Sequence, residues 1–328
     1  MYKVYCPEMI EKKGYDFLLE HGYEVQVGTS VDKEELIRMV ADADAAVVRY
    51  GSTFDADVLA AGKRLKIVAR HGVGYNNIDV EAAAALGIYV TNAKASNANA
   101  VAEHALTMML MLAKQIPRYK NTLTEGHWND RNEKKTEEVY GKTLGIIGFG
   151  ANGSRLGSKA HGIGMKVICY DPYIDYTKIP DYVEGMMRAE DVFSRADVIS
   201  MHCVLNEETH HYIRKRELEM MKPSAYVINC ARGGLICEDD LYHALTEGKI
   251  AGAALDVFET EPPSRENPLF KLNNFYGTLH QAGMTVTASD ACALYAVQSI
   301  HDVLQGREPK YPVNQPDRKK FEERMEKR

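Results

Sequence analysis

Residues 142–157 read KTLGIIGFGANGSRLG. An apolar run, Leu144 to Ile147, stops at three glycines, Gly148, Gly150 and Gly153, after which the pattern turns helical. Glycines are common wherever a strand turns into a helix, so this spacing alone is weak. Its context matches the physics of a dinucleotide loop. Gly148 permits the tight turn, Gly150 lets the backbone approach a pyrophosphate, and Gly153 lets helix and strand pack closely. The N–H groups and positive dipole end of the helix then face the phosphates. The next apolar run, MKVICYD, ends on Asp171, eighteen residues after Gly153 (171 − 153). A carboxylate there is placed to accept hydrogen bonds from ribose hydroxyls and to repel a 2′-phosphate. The following PYIDYTK adds Asp175 and no arginine, so the expected cofactor is NAD rather than NADP.

Outward from this loop the chain alternates. On its N-terminal side lie YKVYC, YEVQV, AAVVRY, LKIVAR and IYVTNA, separated by helix-like segments such as DKEELIRMVADA and DVEAAAALG. On its C-terminal side lie MKVICYD, DVISMHC, AYVINC, IAGAALDVF and FYGTLH. Short apolar strands alternating with helices predict an α/β fold with parallel sheets covered on both faces. Between the two series, residues 97–119 predict one long helix ending near Pro117, whose Met108, Met109 and Met111 read as core. The charged stretch 129–142 reads as a solvated loop, and the tail 316–328 as a frayed, charged end.

Composition sets the outer limits. A chain of 328 residues, 45% apolar, is long for one core and predicts two domains. A net charge of −6 argues against nucleic acid as a partner. The six cysteines are scattered without a CxxC pair or metal-ligand spacing, so no metal is expected and most should be small core residues of a reducing compartment. No apolar run of about 18 residues and no N-terminal apolar segment appears, which predicts a soluble, cytoplasmic protein with no membrane partner.

Three polar residues stand out at strand ends of the second series: Arg232 in NCARGG, Glu261 in GAALDVFETEPP and His280 in FYGTLHQAG. An arginine at a strand end commonly makes an ion pair, a glutamate before two prolines is commonly a turn residue, and a single histidine is commonly structural. Their joint occurrence beside a dinucleotide loop favours function, because open α/β sheets bind ligands beyond the carboxyl ends of their strands. Hydride exchange at an alcohol carbon needs a group that exchanges the hydroxyl proton, which suits imidazole. A neighbouring carboxylate holds such a ring. A guanidinium grips a carboxylate bidentately and polarises the adjacent carbonyl. The expected catalytic residues are therefore Arg232, Glu261 and His280.

With these residues in view, the sequence resembles the D-isomer-specific 2-hydroxyacid dehydrogenases. The resemblance covers residues 1–313 through HGVGYNNID, NAVAEHAL, GKTLGIIGFGANG, YDP, NCARGG, AGAALDVFETEPP and LHQAG, in family order. It implies two doubly wound parallel-sheet domains: a Rossmann NAD-binding domain, 99–284, inserted in a flavodoxin-like substrate-binding domain, 1–98 and 285–328. It implies a homodimer formed largely through the NAD domain. It carries the arginine, glutamate and histidine roles onto Arg232, Glu261 and His280, and backbone contacts to the substrate carboxylate onto Val73 and Gly74. Cofactor contacts are expected from Gly148, Gly150, Asn152, Gly153, Asp171, Ala231, Asp256 and Gly283. This sequence departs from the family pattern at Leu279, where proline is usual, at Asn76, often aspartate, and at Asn152, where an apolar residue is common.

The resemblance also narrows the substrate, a small 2-hydroxy or 2-keto acid. Arg49 and Arg70 end the strands of AAVVRY and LKIVAR, and either alone reads equally well as a surface ion-pair partner. Phosphoglycerate dehydrogenases of the resembled family place arginines at matching points, which implies D-3-phosphoglycerate and 3-phosphohydroxypyruvate. Glyoxylate or hydroxypyruvate is the second expectation, and a non-catalytic NAD-sensing corepressor the third. Glu261 counts against a formate dehydrogenase, whose pattern lacks it. Because the chain ends at residue 328, no additional regulatory domain and no serine feedback is expected. His104 reads as structural, His71 as a possible ligand neighbour, Trp128 as a packing or dimer-interface residue, and His210 and His211 as exposed turn residues.

Overall fold

The computed structural model describes residues 1–129 and 135–327, so residues 130–134 of the charged stretch lie outside the described residues. The chain divides into two compact units, Met1–Asn97 with Met284–Arg328, and Ala98–Gly283.

The first unit holds five parallel strands, β1 (Lys3–Cys6), β2 (Glu24–Val27), β3 (Ala45–Val48), β4 (Ile67–Arg70) and β5 (Tyr89–Asn92), in the order β2-β1-β3-β4-β5. This is the flavodoxin-like doubly wound order. Buried β3 (AAVV) feeds both faces of the sheet, as a strand covered on two sides must. Ala46 and Val48 join the core with Leu36, Val58 and Val68, whereas Ala45 and Val47 join the one with Ile67, Val297 and Ile300. The long helix Val286–Leu304 supplies the last two and starts at Thr285, whose side chain accepts the Ala288 N–H.

The second unit holds seven parallel strands, β6 (Thr143–Ile147), β7 (Lys166–Tyr170), β8 (Val183–Gly185), β9 (Val198–Met201), β10 (Tyr226–Asn229), β11 (Gly252–Leu255) and β12 (Phe275–Gly277). Their order is β12-β11-β10-β9-β6-β7-β8, the Rossmann order extended by one strand. Succession reverses between β6 and β9, which opens a crevice beyond their carboxyl ends. The fold is thus α/β with two parallel sheets. No helix among the described residues is long and apolar enough to cross a membrane.

Three elements differ from the sequence reading. The long helix stops at Lys114, not near Pro117: Gln115 takes a positive φ of 51°, and a second helix, Ile116–Thr124, begins with Pro117 in its first turn. A proline there forfeits only an N–H that has no helical partner, so it starts the second helix. Strand β8 carries no apolar run; one of its three residues is buried and it simply edges the sheet. The tail is helical over Arg318–Glu326 rather than frayed. Buried Arg324 ties it down, donating to the carbonyls of Leu86, Gly62 and Leu65 at 2.7, 2.7 and 3.0 Å.

Candidate active site

At the end of β6 the glycine loop takes the shape its sequence requires. Gly148 has φ 91°, and a Cβ on it would lie 2.5 Å from the Cys203 nitrogen, on the loop after β9. A Cβ on Gly153 would lie 2.3 Å from the Gly148 carbonyl oxygen. Around Gly150, by contrast, a Cβ would meet nothing within 4 Å. The loop is packed on its protein side and open on the other, at the start of the helix Ala151–Gly162. That open cradle of backbone N–H groups fits a pyrophosphate. Asp171, just past β7, accepts the Phe149 N–H (2.8 Å) and the Tyr173 N–H (3.0 Å), so it stands directly against the glycine loop. Asn152 is half-buried in the first turn of the helix. These residues fit a dinucleotide with an unphosphorylated ribose at Asp171.

At the end of β10, fully buried Asn229 holds the loop that follows. Its side chain accepts the Ala231 N–H (2.9 Å) and donates to the Arg232 carbonyl (2.8 Å). The Arg232 guanidinium donates to the Ala231 carbonyl at 2.7 Å. Gly233 follows because only glycine fits there: a Cβ would fall 1.8 Å from the Phe258 carbonyl oxygen.

Past β11, Glu261 accepts the Phe258 N–H at 3.1 Å through Oε1 and meets His280 Nδ1 at 2.7 Å through Oε2. His280, past β12, has φ 52°, a conformation that costs a non-glycine residue on the order of 1 kcal/mol or more unless its surroundings enforce it. Asp256 enforces it. Its carbonyl accepts the His280 N–H (2.7 Å), and its fully buried carboxylate accepts the Gln281 and Ala282 N–H groups (2.9 and 2.8 Å) and the Thr278 hydroxyl (2.5 Å). His104, on the helix Ala98–Lys114, reaches the same Thr278 hydroxyl at 3.0 Å. Both carboxylate oxygens of Asp256 thus serve the loop. Gly283, half-buried, closes the segment.

Arg232, Glu261 and His280 line one open cavity of about 190 Å³ with Gly233 and Phe258. With Nδ1 occupied by Glu261, Nε2 of His280 is the ring atom left to exchange a proton. The set brings together a cation, an imidazole and a carboxylate bonded to that ring. Asn229 and the positioning role of Asp256 escaped the sequence reading, because a buried amide or carboxylate that serves backbone groups has no spacing signature.

The first unit places its expected residues differently. Arg49 donates to the Met9 carbonyl (2.5 Å) and lies 3.8 Å from the Glu11 carboxylate. Arg70 folds back on the His71 carbonyl and lies 3.4 Å from that of Val48. His71 is buried, bonded through Nε2 to Glu11 (2.5 Å), and burial holds its pKa below the usual imidazole value. Val73 accepts the Asn92 side-chain N–H at 2.7 Å, and half-buried Gly74 follows it in the loop after β4.

Comparison with known proteins matches residues 106–282 to the family model "D-isomer specific 2-hydroxyacid dehydrogenase, NAD binding domain". The chain is 42% identical over 323 residues to a D-3-phosphoglycerate dehydrogenase of Methanocaldococcus jannaschii, covering 97% of this chain but 60% of that protein. It is 37% identical over 306 residues to a hydroxypyruvate reductase of Thermotoga maritima, covering 92% of this chain and 98% of that one. Among solved structures, the TT0316 protein of Thermus thermophilus superposes with a TM-score of 0.87 at 31% identity, over 95% of this chain and 99% of the other. The glycine loop, the acid after β7, Arg232, Glu261 and His280 all fall in the matched NAD-binding region, and the chain belongs to the D-isomer-specific 2-hydroxyacid dehydrogenase family.

Proposed function

We propose that the protein is an NAD-dependent D-2-hydroxyacid dehydrogenase whose preferred pair is D-3-phosphoglycerate and 3-phosphohydroxypyruvate. The observation that carries this reading is the His280–Glu261 pair, 2.7 Å apart, on the cavity that Arg232 also lines. Arg232 holds the substrate carboxylate and polarises the neighbouring oxygen. His280 Nε2 takes the hydroxyl proton in oxidation and returns it in reduction, while Glu261 fixes the ring through Nδ1. Gly148, Gly150 and Asp171 hold NAD, which when bound supplies the hydride acceptor or donor.

The phosphate of this substrate is assigned to Arg49 and Arg70. Both would exchange their bonds to backbone carbonyls for the more favourable charge-assisted bonds to phosphate. One observation favours the second reading, a hydroxypyruvate reductase: the Thermotoga relative is matched over nearly its whole length, whereas the chain spans only three fifths of the Methanocaldococcus protein. The test is kcat/KM for 3-phosphohydroxypyruvate against hydroxypyruvate in wild type and Arg49→Ala. A preference for the phosphorylated acid that Arg49→Ala removes supports the first reading. Equal efficiency in both proteins supports the second, and tight NADH binding with no turnover on either acid points to a sensor.

The same reading includes a homodimer formed through the NAD-binding unit. Ile116, Leu123, Trp128 and Tyr140 lie exposed there, an apolar set that a second copy would cover. It also includes a cytoplasmic location, in keeping with six unpaired cysteines, four of them buried.

A further inference from the structure

His211, Cys237 and Glu259 are far apart in sequence, yet one ligand atom from each lies within 4.8 Å of the others. Backbone pairing creates this meeting. The N–H of His211 donates to Gly234 (2.7 Å), that of Ile213 to Leu235 (3.0 Å), and that of Cys237 to Ile213 (2.9 Å). A reciprocal pair adds the third segment: Glu238 N–H donates to the Glu259 carboxylate (2.9 Å), and Glu259 N–H to the Glu238 carboxylate (2.6 Å). His211 lies in a turn, as expected, but is not exposed. It is half-buried, holds a positive φ of 50°, and brings Nε2 to 3.0 Å from Glu259 Oε1. An ion pair alone accounts for that last contact. The Cys237 thiol lies beside it, within hydrogen-bond reach of Asp240 as well.

We propose that His211, Cys237 and Glu259 form a site for a borderline-soft divalent cation of the zinc class. Imidazole, thiolate and carboxylate together are zinc ligands, whereas calcium and magnesium select oxygen alone. Three protein ligands leave a fourth tetrahedral position for water. Bonds of about 2.0–2.3 Å place tetrahedral donors roughly 3.5 Å apart, so the cluster closes by about 1 Å on binding. His211 binds as the neutral ring, and the Cys237 thiol proton leaves to solvent, so affinity rises with pH. Binding reaches the catalytic cavity as well. Glu259 lies two residues before Glu261, and the Phe258–Glu259 backbone packs on Gly233, beside Arg232. An ion pulling on Glu259 shifts that segment and slows turnover.

The site is tested on the full-length protein with Co²⁺ as probe, through the near-ultraviolet thiolate-to-cobalt band, and with Zn²⁺ competing. These readouts do not depend on which acid the enzyme reduces. The expected result is one equivalent of Co²⁺ displaced by Zn²⁺, a band lost in Cys237→Ser and retained in Cys203→Ser, and affinity weakened at least tenfold by His211→Gln. No band in wild type, or a band undiminished in Cys237→Ser, would overturn the site. Thermal unfolding of each variant in metal-free buffer separates lost ligation from lost folding. Zn²⁺ should inhibit wild type and spare Cys237→Ser; equal inhibition of both would overturn the link to the catalytic cavity.

Discussion

His280 sits in a left-handed conformation because Asp256 binds the backbone on both sides of it, and its ring is then fixed by Glu261. Substitution by alanine removes the proposed proton carrier without touching the glycine loop. His280→Ala should therefore lose roughly 10²- to 10⁴-fold in kcat while its NADH dissociation constant stays within about twofold; near-normal turnover at neutral pH would contradict the proton-transfer role. A second histidine governs stability. His202, after β9, bonds the Ser200 hydroxyl through Nε2 (2.8 Å), its Nδ1 is buried without a partner, and burial lowers its pKa to about 4. The folded state keeps this ring neutral, so its contribution is full above the unfolded value of about 6.5 and is lost as pH falls toward 4. His202→Phe should flatten the fall in Tm over that window, and an unchanged slope would count against it. That Arg232, Glu261 and His280 line one cavity was legible, because residues at three successive strand ends must share one rim. Arg49 and Arg70 were legible only as positions: strand ends specify where a guanidinium starts, not which carbonyls it binds.

The strands covered on both faces, such as β3 and β9, were legible as apolar runs, because such a strand must be written that way. Strand β8 was not, since an edge strand with one buried residue needs no such run. The tail helix was hidden for the opposite reason. Its sequence, RKKFEERME, is too polar to announce burial, and its anchors include Arg324, Lys320, which donates to the Ala85 carbonyl at 2.7 Å, and Phe321, whose ring meets Tyr89 edge-on at 5.0 Å. Arg324 donates to three carbonyls at the ends of other elements, and its removal takes a buried charged donor from all of them. Arg324→Ala should cost about 2–4 kcal/mol in denaturant unfolding, whereas Arg318→Ala, 92% exposed in its ion pair, should stay within about 0.5 kcal/mol. Equal effects from the two substitutions would mean that the tail does not hold the first unit together.

Taken over the whole chain, the two units differ in how they are written. Strand and helix alternation announced parallel sheets, but it could not say which strands share a sheet; that part came from the family resemblance. The second unit is one unbroken segment, Ala98–Gly283, with both faces of its sheet covered by its own helices. The first is assembled from both chain ends. Val297 and Ile300 of the helix Val286–Leu304 cover Val4, Val47 and Ile67, and the Asn314 side chain accepts the Val90 N–H at 2.8 Å. Cutting the chain at Gly283 therefore has opposite consequences for the two units. A fragment spanning 98–283 should unfold cooperatively and bind NADH, because it retains the glycine loop, Asp171 and both of its cores. A fragment spanning 1–283 should show that same unfolding transition but lose the transition of the first unit, whose sheet loses the cover of one face. Side chains such as Val47 and Ile67, fully buried in the intact chain, would then meet water at roughly 1.5–3 kcal/mol each. Calorimetry on the two fragments and the full chain decides it. A 98–283 fragment that neither unfolds cooperatively nor binds NADH would mean that the second unit depends on the first for its fold.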